Sequence, residues 1–205
     1  MPQLKIRAIL TDFDGVNRHF PRSRDEQIER EHGLAFGTLE RIAFQPQLLN
    51  PAITGKVSDE EWRSSIKVDL AKIVDEATAH SAVSKWSDFP GVIDRDVLDF
   101  ILAHMEHGPV ALLTNATSRL NRDLLLLGIQ DVFSMIFNSS EIGHFKPDPK
   151  IFEHACLKLR CQPGEILFID DSASHIESAR SMGFIVHQYR DLQGFKRFSD
   201  EIGIG

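Results

Sequence analysis

Five short, β-rich apolar runs recur along the chain of 205 residues, at 6–10, 110–113, 135–137, 166–169 and 185–186. Each is bounded by polar or turn residues and is too short to make a helix of its own, which predicts buried strands. Between them, apolar positions return at helical spacing over 94–106, 118–127, 149–159 and 172–182, with Gly108, Gly128 and Gly183 where C-terminal caps belong. Strands alternating with helices predict an α/β fold, a Rossmann-like three-layer core in which a parallel sheet is covered on both faces. Ligands bind such a sheet outside the carboxyl ends of its strands. The polar clusters Asp12, Thr114-Asn115 and Asp170-Asp171-Ser172 all fall at those ends.

The alternation breaks after the first run. Residues 17–89 are polar, with helical spacing over 24–32, 36–44, 58–68 and 70–79 and turn signals at Asn50-Pro51 and Thr54-Gly55. Ser58 followed by Glu61 has the form of a capping box. This stretch predicts a small α-helical cap inserted over 17–89, with the segment 87–91 returning the chain to a core made of 1–16 and 90–205. Phe36, Phe44, Trp62 and Trp86 are candidates for the cap's own small core, or for the mouth of a site beneath it.

Composition narrows the function classes. A chain with 42% hydrophobic and 26% charged residues is expected to be a soluble globular protein of one domain with an insertion. Its formal charge of −7 excludes sequence-independent nucleic-acid binding, which needs a basic face. Anionic substrates remain open to it if a divalent cation sits in the site. Cys156 and Cys161 lack the companions of a zinc site and read as reduced, structural thiols. No apolar stretch approaches 18 residues and the N-terminus lacks the regions of a signal peptide, so the expectation is a cytoplasmic protein with no membrane partner, either a monomer or a homodimer.

The acidic clusters carry the chemistry. Carboxylates gathered where buried strands emerge are costly unless a cation or hydrogen-bond donors compensate them. Asp12 and Asp14 stand two apart, which on an extended strand end points both the same way, and Gly15 then allows a sharp turn. One such carboxylate can act as a nucleophile while its neighbour moves protons, although the same four residues also describe a solvated turn or a helix cap. Thr114 and Asn115 suit a phosphate oxygen and equally suit an N-cap. Lys146 sits in a loop stiffened by Pro147 and Pro149, which places its ammonium as a partner for an oxyanion or for the excess negative charge. Asp170 and Asp171 complete an all-oxygen ligand set of the kind Mg²⁺ prefers, leaving open positions for a substrate phosphate. The nine histidines show no HxH or HExxH spacing and read as surface or structural groups.

In order, Asp12-Phe13-Asp14-Gly15-Val16, Leu113-Thr114-Asn115, Lys146-Pro147-Asp148-Pro149 and Phe168-Ile169-Asp170-Asp171-Ser172 resemble the four motifs of the haloacid dehalogenase-like (HAD) hydrolases. The runs 139–143 and 178–183 look like the capped subgroup that contains small sugar-phosphate phosphatases. Residues 53–62 are similar to the small caps of the branch with glucose-1-phosphate phosphatase and the epoxide-hydrolase N-terminal domain. The resemblance implies a Mg²⁺-dependent phosphatase acting on a small phosphorylated metabolite. It makes Asp12 the nucleophile, Asp14 the acid and base, and Thr114, Asn115 and Lys146 the groups that hold the phosphate. The metal would be held by Asp12, the Asp14 carbonyl and Asp171, with Asp170 acting through water or from behind.

Three rivals share this scaffold. A 2-haloacid dehalogenase needs neither an acid two residues after the nucleophile nor Mg²⁺, a phosphomutase differs in how the cap retains the intermediate, and a binding or regulatory protein would be catalytically idle. One stretch departs from the family pattern: Asn17-Arg18-His19-Phe20 stands where an apolar residue and a short polar turn are usual. Arg18 and His19 read either as substrate contacts or as solvated linker residues.

Overall fold

The computed structural model describes residues 6–104 and 108–204. Five parallel strands form one sheet in the order β5-β4-β1-β6-β7, with β1 at Ala8–Thr11, β4 at Val110–Thr114, β5 at Met135–Asn138, β6 at Ile166–Asp170 and β7 at Ile185–Gln188. All five predicted runs are strands. The first begins two residues later than its apolar run and continues through Thr11, because the backbone there is still paired to β4 and β6.

Alternation across the pleat divides the core in two. Ile9, Val110, Leu112, Leu167 and Ile169 face one cluster, closed by helices α6 (Arg95–Ala103), α7 (Leu120–Leu126) and α11 (Leu192–Ile202). Ala8, Leu10, Ala111, Leu113 and Phe168 face the other, closed by α9 (Pro149–Leu159) and α10 (Ala173–Ser181). Phe152 of α9 meets Phe168 edge-on at 5.2 Å, and each such buried ring contributes roughly 1.5–3 kcal/mol. The predicted extension of α6 to Glu106 falls outside the described residues. Cys156 and Cys161 are free thiols, and no described helix is long and apolar enough to cross a membrane.

A two-residue antiparallel ribbon, β2 (Arg18–His19) with β3 (Val92–Ile93), joins the sheet to the inserted helices. These are α1 (Arg22–Glu31), α2 (Thr38–Ala43), α3 (Pro46–Ile53), α4 (Asp59–Leu70) and α5 (Glu76–Ser87). They pack on their own cluster around Trp62, Ile66, Leu70 and Val83. The capping box is present: the Glu61 N–H donates to Ser58 Oγ at 3.2 Å and the Ser58 N–H to Glu61 Oε2 at 2.7 Å.

Three readings of this segment are corrected. The helix expected over 70–79 is only half formed: Leu70 ends α4, 71–75 turn the chain, and α5 starts at Glu76, where Asp75 caps it by accepting from the Thr78 N–H at 3.0 Å. Asn50-Pro51 is not a turn but lies inside α3: Pro46 opens that helix, Pro51 forfeits only one backbone bond, and Thr54-Gly55 ends it. Phe36 is exposed rather than part of the cap core, and Phe44 is half in solvent with its ring edge-on to Trp86 at 6.4 Å. Helix α8 (Ser139–Ile142), α11 and the β2–β3 ribbon had no expectation.

Candidate active site

Strand order fixes where the site lies. From β1 the chain steps to β4 and β5 on one side, then crosses to β6 and β7 on the other, so the order reverses beside β1. That reversal opens a crevice at the carboxyl ends of neighbouring strands. Thr11, Thr114 and Asp170 end the three strands there.

Lys146 is the centre of the crevice. It is only 1% exposed, and its Nζ lies 2.8 Å from Asp12 Oδ1, 2.6 Å from Asp170 Oδ2 and 2.9 Å from the Leu113 carbonyl, so all three donors are placed. The Asn115 side chain holds the lysine's own peptide: its Nδ2 donates to Lys146 O and its Oδ1 accepts from Lys146 N, both at 2.8 Å. Asn115 therefore spends its side-chain amide on the loop and has its backbone left to offer a ligand. Thr114 is buried at the end of β4. Asp148 accepts from the Lys150 N–H at 3.0 Å and starts α9 with Pro149 in its first turn.

The two carboxylates sharing Lys146 are not equivalent. Asp170 also accepts from the Ser172 N–H at 2.8 Å and contacts His175 Nδ1 at 3.0 Å. Burial alone would raise its pKa, but Lys146 and His175 outweigh burial and hold it down at about 2. Asp12 has the Phe13 N–H at 2.7 Å beside the shared ammonium. There burial wins over Lys146, the Asp170 charge adds to it, and the Asp12 carboxyl is pushed well above its usual value. Lys146 is raised despite its burial, because both carboxylates favour the ammonium.

Asp12 and Asp14 both lie beyond the extended strand whose period of two would align them. Strand β1 ends at Thr11 and Gly15 turns the chain at φ +83°, so Asp14 stands in the turn with its carboxylate forked onto Arg18 at 2.6 and 2.9 Å. The buried Asn17 side chain fastens this turn, donating to Asp12 O at 2.6 Å and Thr11 Oγ1 at 2.9 Å. Asp171 crosses from the end of β6 so closely that a Cβ on Gly15 would meet its Oδ2 at 2.2 Å. Gly15→Ala is expected to lower stability by about 1–2 kcal/mol, from the left-handed backbone and that clash together, and urea unfolding measures it.

Asp12, Asp170 and His175 bring possible metal-ligating atoms within 4.8 Å of one another. Three carboxylates, Asp12, Asp170 and Asp171, face the single ammonium of Lys146, and partial desolvation and the Asp170 charge raise Asp171 as well. That negative excess fits a divalent cation. An ionised Asp170 only accepts, so it fixes His175 with Nδ1–H toward it, and that nitrogen supports Asp170 instead of ligating. Among the histidines read as surface or structural groups, His175 is therefore a site residue; its sign in the sequence is its place one helical turn beyond Asp170.

A cavity of about 350 Å³ lies between the crevice and the inserted helices, bounded by Asp14, Arg18, Phe44, Trp62 and Trp86 among others. Its lining holds two further ion pairs, Arg63–Asp59 at 2.5 Å on the inserted helices and Arg119–Asp123 at 2.6 Å on the core. Both are i,i+4 pairs on helices, a spacing visible in the sequence but shared with ordinary surface pairs.

A family model described as a haloacid dehalogenase-like hydrolase matches residues 6–183. A D-ribitol-5-phosphate phosphatase of Bacteroides thetaiotaomicron is 28% identical over 89% of this chain and 91% of its own. A phosphoglycolate phosphatase of Thiobacillus denitrificans is 33% identical over 88% of this chain and 81% of its own. Among solved structures, a HAD family enzyme from Bacteroides thetaiotaomicron in complex with magnesium and inorganic phosphate superposes with a TM-score of 0.73, at 24% identity over 93% of this chain and 98% of that one. The parallel sheet with its switch-point crevice and aspartate cluster thus defines a hydrolase of the α/β class. The chain belongs to the haloacid dehalogenase-like hydrolases.

Proposed function

We propose that the protein is a cytoplasmic, Mg²⁺-dependent phosphatase that hydrolyses a small phosphorylated metabolite through an aspartyl-phosphate on Asp12. The observation that carries this reading is the single buried ammonium of Lys146 between Asp12 and Asp170, with a second carboxylate, Asp14, two residues after the first. The core would be 1–16 and 90–205 and the cap 17–89. Two relatives over most of the chain act on small phosphate esters, D-ribitol 5-phosphate and phosphoglycolate by their names, which supports the substrate class.

Asp12 attacks phosphorus in line; the P–O bond to the alcohol breaks, and the leaving oxygen takes a proton from the Asp14 carboxyl. Asp14, now a carboxylate, takes a proton from the water that attacks the aspartyl-phosphate, so inorganic phosphate leaves and Asp12 is restored. The Thr114 hydroxyl and the Asn115 backbone N–H hold the phosphoryl oxygens together with Lys146, which turns one of its three placed donors to them, while Asp170 and His175 keep Lys146 charged and in place. Mg²⁺, held by the Asp12 carboxylate, the Asp14 carbonyl and Asp171 with Asp170 behind, would supply positive charge for the phosphoryl oxygens.

Dehalogenation uses the same nucleophile on carbon but has no use for Asp14 as an acid. Phosphate release from a panel of phosphorylated metabolites is therefore expected with Mg²⁺, to vanish with EDTA and to return with excess Mg²⁺. Chloride release from 2-chloropropionate, with no phosphate from any ester, would replace this reading.

A further inference from the structure

Arg18 has no part in the reaction just described, yet the site is built around it. Its guanidinium lies 4.2 Å over the Phe13 ring and 4.9 Å from that of Phe20. Nε and Nη2 fork onto the two Asp14 oxygens, and Nη1 donates to Asp123 at 3.1 Å and to the Pro90 carbonyl at 3.2 Å. Gly91, at φ +90°, makes the room: a Cβ there would stand 2.7 Å from Arg18 Cγ and Cδ. A guanidinium packed between two rings and beside a backbone that must be glycine is not a linker charge.

Two consequences follow for Asp14. While the fork is intact, both its oxygens accept from Arg18 as an ionised carboxylate, which has no proton to give, so acting as an acid requires the fork to be emptied. Once Asp14 has left, three guanidinium groups, Arg18, Arg63 and Arg119, face two carboxylates, Asp59 and Asp123. The Arg18 and Arg119 side chains are 6% and 8% exposed, and Arg119 Nη2 has no hydrogen-bond partner in the protein. With Asp14 protonated, one positive charge would be left over beside the nearly closed Arg18 and Arg119 side chains, which is costly without a replacement anion. A planar carboxylate matches the fork that Asp14 vacates, and the cavity that Arg18, Arg63 and Arg119 line is at the small end of ligand sites.

We propose that the substrate is the phosphate ester of a short hydroxy acid, and that its carboxylate takes the Arg18 fork from Asp14, releasing Asp14 to take up a proton from solvent and pass it to the leaving oxygen; the inference rests on the phosphatase reading. Arg18 is then both the contact for the substrate's acid group and the latch on the acid–base residue. A substrate without a carboxylate leaves the latch closed, so the acid group is recognised in turnover and not only in binding.

The test compares 2-phosphoglycolate with 2-hydroxyethyl phosphate, its neutral counterpart of similar size, on the Mg²⁺-loaded full chain. The expected result is a kcat at least about tenfold higher for the acid, a part of the ~10²–10⁴-fold that a positioned acid contributes. In Arg18→Gln the two values should converge, the neutral ester gaining and the acid losing. Should that variant not fold, the wild type decides alone: added acetate should raise kcat on the neutral ester by filling the fork in trans. Equal kcat values in the wild type, a difference confined to KM, a ratio unchanged in Arg18→Gln, or, where acetate decides, no activation by it would overturn the proposal. Hydrolysis of p-nitrophenyl phosphate with neither ester turned over would overturn it while leaving the phosphatase reading intact. No phosphate from any of the three would end both.

Discussion

Asp12→Asn is expected to abolish turnover while leaving a protein more stable than the wild type at neutral pH in the absence of Mg²⁺. Activity should fall on the order of 10⁴-fold or more, the scale on which enzymes lose rate when a nucleophile is removed. The gain in stability follows from the pairing at Lys146. Two buried carboxylates share one ammonium, and Asp170 has the better share, with His175 and the Ser172 N–H in addition. Burial leaves the Asp12 carboxyl well above its usual value, so the folded state binds this proton more tightly than the unfolded chain does. A raised acid contributes stability at low pH that is lost as pH climbs from the unfolded value of about 3.9 through the folded one. The neutral amide has no such loss and can still accept from the Phe13 N–H. Phosphate release and the urea midpoint at pH 7, both on the same preparation, measure the two effects. An Asp12→Asn variant that turns over at the wild-type rate would remove Asp12 from the mechanism, and one less stable at pH 7 would contradict the electrostatic account.

The asymmetry between Asp12 and Asp170 shows what a sequence can and cannot convey. The three central strands were legible because each is buried on both faces, so its apolar run has no polar interruption until the strand ends, and the residue at the interruption is the site residue. Asp12, Thr114 and Asp170 were found that way, and Lys146 from the prolines that stiffen its loop. Which carboxylate holds the proton was not legible, since it depends on Ser172 and His175 approaching only one of them in space. Asn115 was legible as a polar strand end but not as the clamp on the Lys146 peptide, 31 residues away in the chain. The cap was harder, because its helices are short and polar and their ends are set by single capping residues. Asp75 starts a helix inside the stretch 70–79 that apolar spacing gave to a single one, and Pro51 sits inside a helix that needs few backbone bonds. Arg18 looked like a linker charge because its partners, Asp123 and Pro90, come from distant segments that only the fold brings to it.

Lys146→Met should cost about 3–5 kcal/mol at pH 7, the loss seen when one partner of a buried ionic cluster is removed and the other charges stay. Methionine fills the volume but leaves Asp12 and Asp170 facing each other, and the Leu113 carbonyl loses its donor. The pH dependence distinguishes this cause from a packing defect. In the wild type, Asp170 is held at about 2 in the folded state against about 3.9 unfolded, so it contributes stability that is present above pH ~4 and lost as pH falls toward 2. In Lys146→Met the main influence holding Asp170 down is gone, and burial and mutual repulsion raise both carboxylates. A raised acid reverses the sign, so this variant should gain stability on acidification from pH 7 to 5, a range in which Asp170 gives the wild type no change. Adding Asp12→Asn to Lys146→Met should recover at least about 1 kcal/mol, beyond what Asp12→Asn gains alone, because the two changes act on one charge cluster. Urea midpoints for the four proteins at pH 7 and pH 5 complete the cycle. If the Lys146→Met deficit is the same at both pH values and the double variant is additive, the ammonium is a packing group and the electrostatic reading of the site is wrong.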